Sequence, residues 1–282
     1  MIKIHYWSVL VAAIALLSSC TSSRPFAQSQ SGESPAQVST IAASTPFNDT
    51  SYATVLKTYV NEQGLVNYSA LQANPGLLKT FNTSLGTVSP STYQTWSEAE
   101  KIAFLINAYN AFTLESIIDQ KPLKKSIREI PGVWKGRRFL IVGESRTLDE
   151  IEHQILRKEF NEPRIHAALV CAAISCPPLR TEPYTGEKLN SQLDDQVQKW
   201  LSSHGLKIDR AQNRIEISAI FKWFGEDWQK TYAVKNKFTG NEKERAILNF
   251  VSRYVNPDDR NYLAQGNYKI AYLDYNWALN SQ

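Results

Sequence analysis

Cysteine, histidine and methionine are rare in this chain, whose 282 residues include three cysteines, four histidines and one methionine. A structural zinc site needs a full set of nitrogen or sulfur ligands at short spacings. Only His166, Cys171 and Cys176 stand near one another, and no second group of ligands accompanies them. The composition therefore predicts no metal centre, and no residue pattern indicates a cofactor.

An excess of charge of one sign is also absent. The chain carries 31 lysine and arginine residues against 27 aspartate and glutamate residues. It contains no long basic run and no nucleic-acid recognition motif. Because binding to a phosphate backbone requires clustered positive charge, nucleic acid is not expected among the partners.

Long hydrophobic runs are missing except at the N-terminus. The run over residues 6–17 covers about a dozen residues, whereas a helix that crosses a bilayer needs roughly 20. Lys3 precedes this run and small residues lead from it to Cys20, which resembles the signal peptide of a bacterial lipoprotein. By that resemblance residues 1–19 are removed, and acyl chains on Cys20 hold the protein on the membrane. Thr21, in place of an aspartate, favours the outer membrane with the protein facing the periplasm.

The next segment has a biased composition. Residues 20–46 are mainly serine, threonine, alanine, glutamine and proline, with few large apolar side chains. Such a segment cannot bury enough surface to offset the entropy of ordering it. We therefore predict a disordered tether over residues 20–46 and one globular domain over residues 47–282, which is long enough to bury a core.

Two stretches mark the starts of helices. Residues 97–100, SEAE, have the capping-box pattern ahead of apolar residues at helical spacing, which predicts a long helix to about Gln120. Residues 147–150, TLDE, repeat the pattern and predict a helix that ends near Phe160.

Alternating apolar and polar residues predict a few short strands. A hairpin is expected over residues 138–144, two strands within residues 206–218, and a terminal strand over residues 268–275. Helices outnumber strands and do not alternate regularly with them. The sequence therefore predicts the α+β class, as a single, mainly helical domain with a small antiparallel sheet.

The stretch over residues 165–178, IHAALVCAAISCPP, places one histidine and two cysteines in an apolar run. A disulfide needs α-carbons about 4.4 to 6.8 Å apart. Residues five positions apart lie about 8 Å apart on a helix and about 16 Å apart on a strand. A bond between Cys171 and Cys176 therefore requires a turn through residues 172–175, and the prolines that follow favour a bend.

In the alternative interpretation Cys171 is the nucleophile of an enzyme. A thiolate is the attacking species, and a nearby imidazole is the usual means of forming it at neutral pH. His166 precedes Cys171 by five residues, so in any regular element the two side chains diverge. A direct pair needs an irregular backbone, and the sequence leaves both alternatives open.

Glu152 is the candidate to orient the imidazole. On the predicted helix it shares a face with apolar residues, and a buried carboxylate needs a partner such as a histidine, a lysine or an arginine. His153 falls on a face of charged residues and His204 stands beside a glycine at a helix end, so both are expected at the surface.

Asn107 and Asn110 stand in the long predicted helix, where Asn110 shares a face with apolar residues. A buried amide must be hydrogen-bonded. These amides either hold a backbone loop in place or line a substrate pocket, where an amide can stabilise an oxyanion.

The aromatic residues around Trp223 recur at helical spacing, which is more typical of a core than of a ligand-stacking surface.

Five blocks, in order along the chain, resemble the domain-of-unknown-function family 547: FLINAYNAFTLESII, TLDEIEHQILR, RIHAALVCAAISCPPL, ISAIFKWFGEDW and IAYLDYNWALN. The resemblance covers nearly all of the chain after the tether. It implies that the positions of Glu152, His166 and Cys171 belong to the family pattern. It also implies that the position of Cys176 holds another residue in plant relatives, which argues against an obligatory disulfide.

The leading hypothesis is an envelope-anchored hydrolase or acyl transferase without a cofactor. Cys171 attacks an amide or thioester carbonyl, His166 acts as base and then acid, and Glu152 orients the imidazole. A papain-like or transglutaminase-like fold suits this chemistry by analogy, since both place a thiol at a helix start. Peptides, peptidoglycan cross-links and lipid-linked acyl groups all fit as substrates. The rival hypothesis is a non-catalytic binding or scaffold lipoprotein with His166 and Cys171 in its core.

Overall fold

The computed structural model describes residues 47–282. The predicted signal peptide over residues 1–19, the predicted lipidated Cys20 and the predicted tether over residues 20–46 lie outside the described residues. Within residues 47–282, no helix is both long enough and apolar enough to cross a membrane.

Helices make up most of the regular structure of residues 47–282. The α-helices are α1 (Thr50–Tyr59), α2 (Tyr68–Ala73), α3 (Gly76–Thr87), α4 (Pro90–Thr95), α5 (Glu98–Ile118), α6 (Arg157–Glu159), α7 (Leu189–Trp200), α8 (Ala219–Phe224), α9 (Glu226–Tyr232), α10 (Glu242–Val251) and α11 (Pro257–Gln265). One π-helical segment, Glu150–Leu156, precedes α6, and another, Leu201–Gly205, follows α7. Short 3-10 helices cover Ile127–Glu129 and Pro163–Ala167.

The first sheet is a hairpin of two strands. β1 (Phe139–Ile141) and β2 (Glu144–Arg146) pair antiparallel. Val142 and Gly143 between them both have positive φ, as a two-residue type I′ turn requires. The predicted hairpin is confirmed.

The second sheet has three strands in the order β3 (Leu206–Asp209), β4 (Arg214–Ile217) and β5 (Lys269–Tyr272). β3 and β4 are antiparallel, whereas β5 lies parallel to β4. The predicted strands, the α+β class and a small antiparallel sheet are confirmed, and the parallel pairing of β5 with β4 was not predicted. The chain passes through helices α8 to α11 between β4 and β5, and a long crossover permits parallel pairing.

Helix α5 runs through the first of two apolar cores. The Ser97 side chain accepts the N–H of Glu100, and the Glu100 carboxylate accepts the N–H of Ser97 at 2.8 Å, so the capping box is present. Every residue from 102 to 114 is buried. A helix that is buried all round lies inside a core rather than on its surface, and the predicted long helix is confirmed.

A second apolar core packs around the large side chains of Trp200, Phe221, Trp228 and Phe250. Ala167 belongs to this second core, and residues 168–170 belong to the first. These three residues begin the irregular segment over residues 168–188 that contains both cysteines, called here the cysteine segment. The cysteine segment therefore starts at the boundary between the two cores.

Leu77 and Leu78 test the placement of helix α3, because Leu77 is 45% exposed and Leu78 is 0% exposed. Leu78→Ala is expected to lower the free energy of unfolding by about 2–5 kcal/mol, since it leaves a cavity in the core. Leu77→Ala is expected to cost less than about 1 kcal/mol. Urea denaturation followed by tryptophan fluorescence measures both values, and equal losses would contradict this orientation of α3.

Candidate functional site

A cavity of about 390 Å³ opens at the boundary between the two cores. It is bordered by the following ionisable or sulfur-bearing side chains: Lys135, Asp149, Glu152, His153, His166, Cys171 and Cys176. It is also bordered by the aromatic side chains Tyr109, Trp134, Trp223, Phe224, Tyr275 and Trp277. The three residues predicted to be catalytic thus border one cavity. Within residues 47–282, no three histidine, cysteine, aspartate or glutamate side chains are arranged to hold a metal ion.

Cys171 and Cys176 form a disulfide, with their α-carbons 6.2 Å apart. The backbone turns between them because Ala172 is left-handed, with a φ of 57°. Of the two alternatives that the sequence left open, the structure contains the disulfide. The prediction of Cys171 as a free nucleophile is therefore corrected for this oxidised form, since the sulfur must be reduced before it can attack a carbonyl. The bond closes a short loop, for which loop-closure entropy gives only about 2 kcal/mol of stabilisation.

The cysteines lie in an irregular segment over residues 168–188, which contains no α-helix. The next helix, α7, begins at Leu189. The papain-like arrangement expected by analogy, with a thiol at the start of a helix, is therefore not present. A thiolate at Cys171 is not stabilised by a helix N-terminus, so other donors must supply that stabilisation.

Amide side chains of α5 hold this irregular segment in place. Asn110 donates from Nδ2 to the carbonyl oxygen of Ala168 at 2.9 Å, and its Oδ1 accepts the N–H of Val170 at 2.8 Å. Asn107 holds the backbone of Tyr184 in the same way, at 2.8 and 2.9 Å. Neither asparagine borders the cavity that contains the cysteines. Of the two predicted roles, the structure gives them the holding of a loop, and the predicted role as pocket residues does not apply to this cavity.

The two cysteines differ in exposure and share one hydrogen-bond donor. Cys176 is buried, with 3% of its surface exposed, whereas Cys171 is partly exposed. The N–H of Cys171 donates to Sγ of Cys176 at 2.9 Å. The hydroxyl group of Tyr275 lies 3.2 Å from each sulfur. After reduction, the Tyr275 hydroxyl group is therefore placed to stabilise negative charge on either sulfur, and the N–H of Cys171 is placed to stabilise it on Cys176.

His166 is held by a carboxylate and by aromatic rings. Only 2% of its side chain is exposed, and its Nε2 lies 2.8 Å from Oδ2 of Asp227. The ring stacks on Phe224, with centroids 4.8 Å apart. Nε of Arg157 donates to the same carboxylate oxygen at 2.6 Å. The imidazole is thereby fixed in position and orientation.

The charges at this pair follow from burial and hydrogen bonding. Burial lowers the pKa of His166 below its ordinary value, and Asp227 offsets part of that effect. Burial alone would raise the pKa of Asp227, but the hydrogen bonds from His166 and Arg157 hold it at about 2. At neutral pH the imidazole is therefore neutral and donates its Nε2–H to the carboxylate. Among the described residues, Nδ1 of His166 has no hydrogen-bond partner.

The prediction that Glu152 orients His166 is wrong, because Asp227 occupies that position. Oε1 of Glu152 lies 3.8 Å from Nδ1 of His153, and the carboxyl group also interacts with the hydroxyl group of Tyr109. Only 12% of the Glu152 side chain is exposed, so the predicted burial is present with different partners. Burial raises the pKa of Glu152 above its ordinary value.

The π-helical segment Glu150–Leu156 explains why His153 is not simply a surface residue. A helix with i→i+5 hydrogen bonds turns less per residue than an α-helix, so the neighbours Glu152 and His153 both border the cavity. The His153 side chain is 29% exposed. His204 is exposed, as the sequence predicted.

The cavity also has an exposed aromatic wall. Trp223 is 41% exposed and stacks on Trp277, with ring centroids 5.8 Å apart. Tyr275 lies 4.9 Å from Trp223, measured between ring centroids. The expectation that this stretch is core is confirmed for Phe221 and Trp228, which are fully buried, and is wrong for Trp223.

Sequence reasoning missed Asp227, Arg157 and Tyr275. Asp227 stands between aromatic residues in the stretch FGEDW, and an acidic residue in that setting is the signal that could have marked it. Arg157 lies four residues after His153 on the chain, but its partner is 70 positions away. Nothing near Tyr275 in the sequence marks it as a site residue. The sulfurs that it contacts belong to Cys171, 104 positions away, and to Cys176, 99 positions away.

Fold and cavity define an α+β protein whose site combines a disulfide, a histidine–aspartate pair and an aromatic wall. The model of a family described as Protein of unknown function, DUF547, matches residues 93–201. The match confirms the resemblance and includes Glu152, His166 and both cysteines, whereas Asp227 and Tyr275 lie outside it. No curated protein and no solved structure was found to match the chain.

Asn110→Ala tests the amide that holds the cysteine segment. The substitution leaves the Ala168 carbonyl and the Val170 N–H buried without a partner, so the free energy of unfolding is expected to fall by about 2–3 kcal/mol. Asn74→Ala, at an exposed residue, is the control and is expected to cost less than about 1 kcal/mol. Chemical denaturation compares the variants, and similar values for both would contradict the holding role.

Acidification tests the neutral state of His166. Because its pKa is lowered in the folded state, the unfolded chain binds the extra proton more readily, and this contribution to stability is lost as pH falls below the ordinary value of about 6.5. Relative to His166→Asn, the wild-type protein is expected to lose up to about 1 kcal/mol between about pH 7 and pH 5.5. Urea denaturation at both pH values measures the difference, and parallel behaviour of the two proteins would show that His166 is not held neutral.

Proposed function

We propose that the protein is a thiol-dependent hydrolase or acyl transferase that acts in its reduced form on amide or thioester carbonyls. Cys171 is the nucleophile, His166 is the general base and then the general acid, and Asp227 takes the orienting role expected of Glu152. The observation that carries this proposal is that Cys171 and His166 border one cavity while Asp227 is hydrogen-bonded to Nε2 of the imidazole ring.

The charge state of the imidazole suits general-base catalysis. Its lowered pKa keeps it neutral at pH 7, and its Nε2–H is committed to Asp227, which leaves Nδ1 to accept a proton from the Cys171 thiol. The thiolate then attacks the carbonyl carbon, and the imidazolium returns the proton to the leaving amine or thiol. Water or an acceptor nucleophile releases the acyl group from the sulfur in a second step.

Two further groups support acyl chemistry in this cavity. The hydroxyl group of Tyr275, 3.2 Å from Sγ of Cys171, is a donor beside the reacting atom. The carboxyl group of Glu152 has a raised pKa because of burial. Groups whose pKa values are shifted apart, such as Glu152 and Asp227, are typical of catalytic sites.

The predicted anchor places this chemistry in the cell envelope. With Cys20 lipidated and residues 20–46 as a tether, the domain faces the periplasm, where peptides, peptidoglycan cross-links and lipid-linked acyl groups are within reach. The envelope is an oxidising compartment, so the proposed activity requires that the Cys171–Cys176 bond be opened.

The disulfide itself favours a second candidate, a non-catalytic protein that binds a small ligand in the same cavity. Its volume of about 390 Å³ lies within the range of ligand sites, about 300–1,000 Å³. The exposed rings of Trp223 and its neighbours offer an apolar face for such a ligand. In this candidate the cysteines only shape the wall.

Alkylation of the reduced full-length protein separates the two candidates. At about pH 6, His166→Ala is expected to slow the reaction of Cys171 with iodoacetamide by about tenfold or more, because the thiol loses its base. Asp227→Asn is expected to slow it by a smaller factor, since the ring remains but its tautomer is no longer fixed. Mass spectrometry of the digested protein locates and quantifies the label.

His204→Ala, at an exposed histidine, is the matched control and is expected to react like the wild-type protein. Circular dichroism of each variant shows whether it is folded. Equal rates for wild type and a folded His166→Ala would contradict the enzyme proposal. A reduced Cys171 that reacts only after denaturation would favour the ligand-binding candidate.

A further inference from the structure

We propose that the Cys171–Cys176 bond exchanges with low-molecular-weight thiols that enter the cavity, with Cys171 as the attacked sulfur and Cys176 as the leaving thiolate. This activity goes beyond acyl transfer and does not require it. The two share the hydroxyl group of Tyr275 and Cys171, which acyl transfer needs in the free form that exchange produces.

Exposure decides which sulfur is attacked. Disulfides are opened by attack of a thiolate along a path that reaches one of the two sulfur atoms. Both cysteines border the cavity, but Cys171 is partly exposed, whereas Cys176 is buried with 3% of its surface exposed. A small thiol in the cavity therefore reaches Cys171, and Cys176 becomes the leaving group.

The leaving group is stabilised by donors already in place. Sγ of Cys176 accepts the N–H of Cys171 at 2.9 Å and lies 3.2 Å from the hydroxyl group of Tyr275. Hydrogen bonds strengthen when the acceptor becomes charged, so these donors favour the thiolate over the disulfide sulfur. A stabilised leaving thiolate speeds exchange.

Hydrogen bonds hold the backbone around the cysteines, so opening the Cys171–Cys176 disulfide is expected to leave the site intact. Asn110 holds residues 168 and 170. Between the cysteines, the carbonyl of Ala172 accepts the N–H of Asn280 at 3.1 Å, and the N–H of Ile174 donates to Ala278 at 2.8 Å. The loop is thus hydrogen-bonded on both sides of its turn. The disulfide is therefore not needed to hold this loop in the folded structure.

Two molecules of a thiol balance the reaction. The first thiolate bonds to Sγ of Cys171 as the Cys171–Cys176 bond breaks, and Cys176 leaves as a thiolate that takes up a proton. The second thiolate attacks the sulfur of the bound small molecule, which departs as a symmetric disulfide and leaves Cys171 reduced. The protein disulfide gains two electrons, which the two small thiols lose.

Glutathione is the probe for this exchange. The oxidised full-length protein, in native buffer, is incubated with millimolar reduced glutathione, quenched with acid, alkylated under denaturing conditions and mapped by mass spectrometry. The expected result is loss of the Cys171–Cys176 bond while near-ultraviolet circular dichroism is retained. A bond that persists until denaturant is added, or a protein that loses its tertiary signal on reduction, would overturn the proposal.

Matched variants assign the two sulfurs. In Cys176→Ser, oxidised glutathione is expected to form a mixed disulfide on Cys171. In Cys171→Ser, no mixed disulfide is expected on the buried Cys176. The reverse pattern would contradict the assignment. The wild-type measurement stands by itself if either variant does not fold.

Tyr275→Phe tests the leaving-group donor. It removes the hydroxyl group beside both sulfurs, and the reduction of the bond by glutathione is expected to slow about threefold to tenfold, as the loss of one ordinary hydrogen bond to a sulfur that is only partly charged in the transition state implies. Tyr254→Phe is the control, because its hydroxyl group bonds to Asp194 and does not border the cavity. An unchanged rate in a folded Tyr275→Phe would contradict this role.

Failure of this proposal is distinguishable from failure of the proposed function. Cys176→Ser carries a free Cys171 without any exchange step. If its Cys171 reacts with iodoacetamide in a His166-dependent way while the wild-type bond resists glutathione, only the exchange proposal fails. If the wild-type bond opens but Cys171 shows no dependence on His166, only the acyl-transfer proposal fails.

Discussion

A buried irregular backbone must find hydrogen-bond partners outside any helix or sheet, and this constraint shapes the whole site. Residues 168–188 begin at the boundary of the two cores and continue along the first core without forming an α-helix. An unpaired buried N–H or C=O costs about 1–3 kcal/mol, so the partners must come from side chains and from distant backbone. Asn110 and Asn107 supply them from α5, and residues 276–280 supply them from the C-terminal end. The central helix and the end of the chain thus position the two cysteines.

The second determinant of the site is the effect of burial and hydrogen bonding on the pKa values of the ionisable groups around the cavity. His166 is kept neutral and Asp227 is kept charged, while burial raises the pKa of Glu152. Arg157 balances the charge of Asp227 by donating to the same carboxylate oxygen that the imidazole contacts. Groups whose pKa values are shifted in opposite directions therefore lie around a cavity that two sulfur atoms border. Shifts of this kind are typical of functional sites.

Much of the fold could be predicted from local patterns, because helices and hairpins depend on contacts near in sequence. The capping boxes at 97–100 and 147–150 and the turn at Val142 and Gly143 have local causes. The parallel pairing of β5 with β4 depends on a crossover of four helices and has no local signal. The π-helical segment Glu150–Leu156 was also hidden, since its sequence has an ordinary amphipathic pattern.

Residue types were enough to predict some of the residues at the site, but not their partners, which depend on the three-dimensional fold. Glu152, His166 and Cys171 were found because a buried carboxylate, an imidazole and a thiol are unusual in apolar surroundings. The partner of His166 could not be derived, since Asp227 lies 61 positions away and several carboxylates compete for the role. The disulfide depended on a turn between the cysteines that the sequence did not specify, and the left-handed Ala172 lies in that turn.

The central claim is that a neutral His166, fixed by Asp227, and the sulfur of Cys171 border the same cavity. Nitrogen-15 NMR of the imidazole, recorded at neutral pH on the oxidised and on the reduced full-length protein, tests it most directly. The account predicts a proton on Nε2, an unprotonated Nδ1, and an Nδ1 signal that moves when the Cys171–Cys176 bond is opened. A protonated ring at neutral pH, or an Nδ1 signal identical in the two redox states, would contradict it.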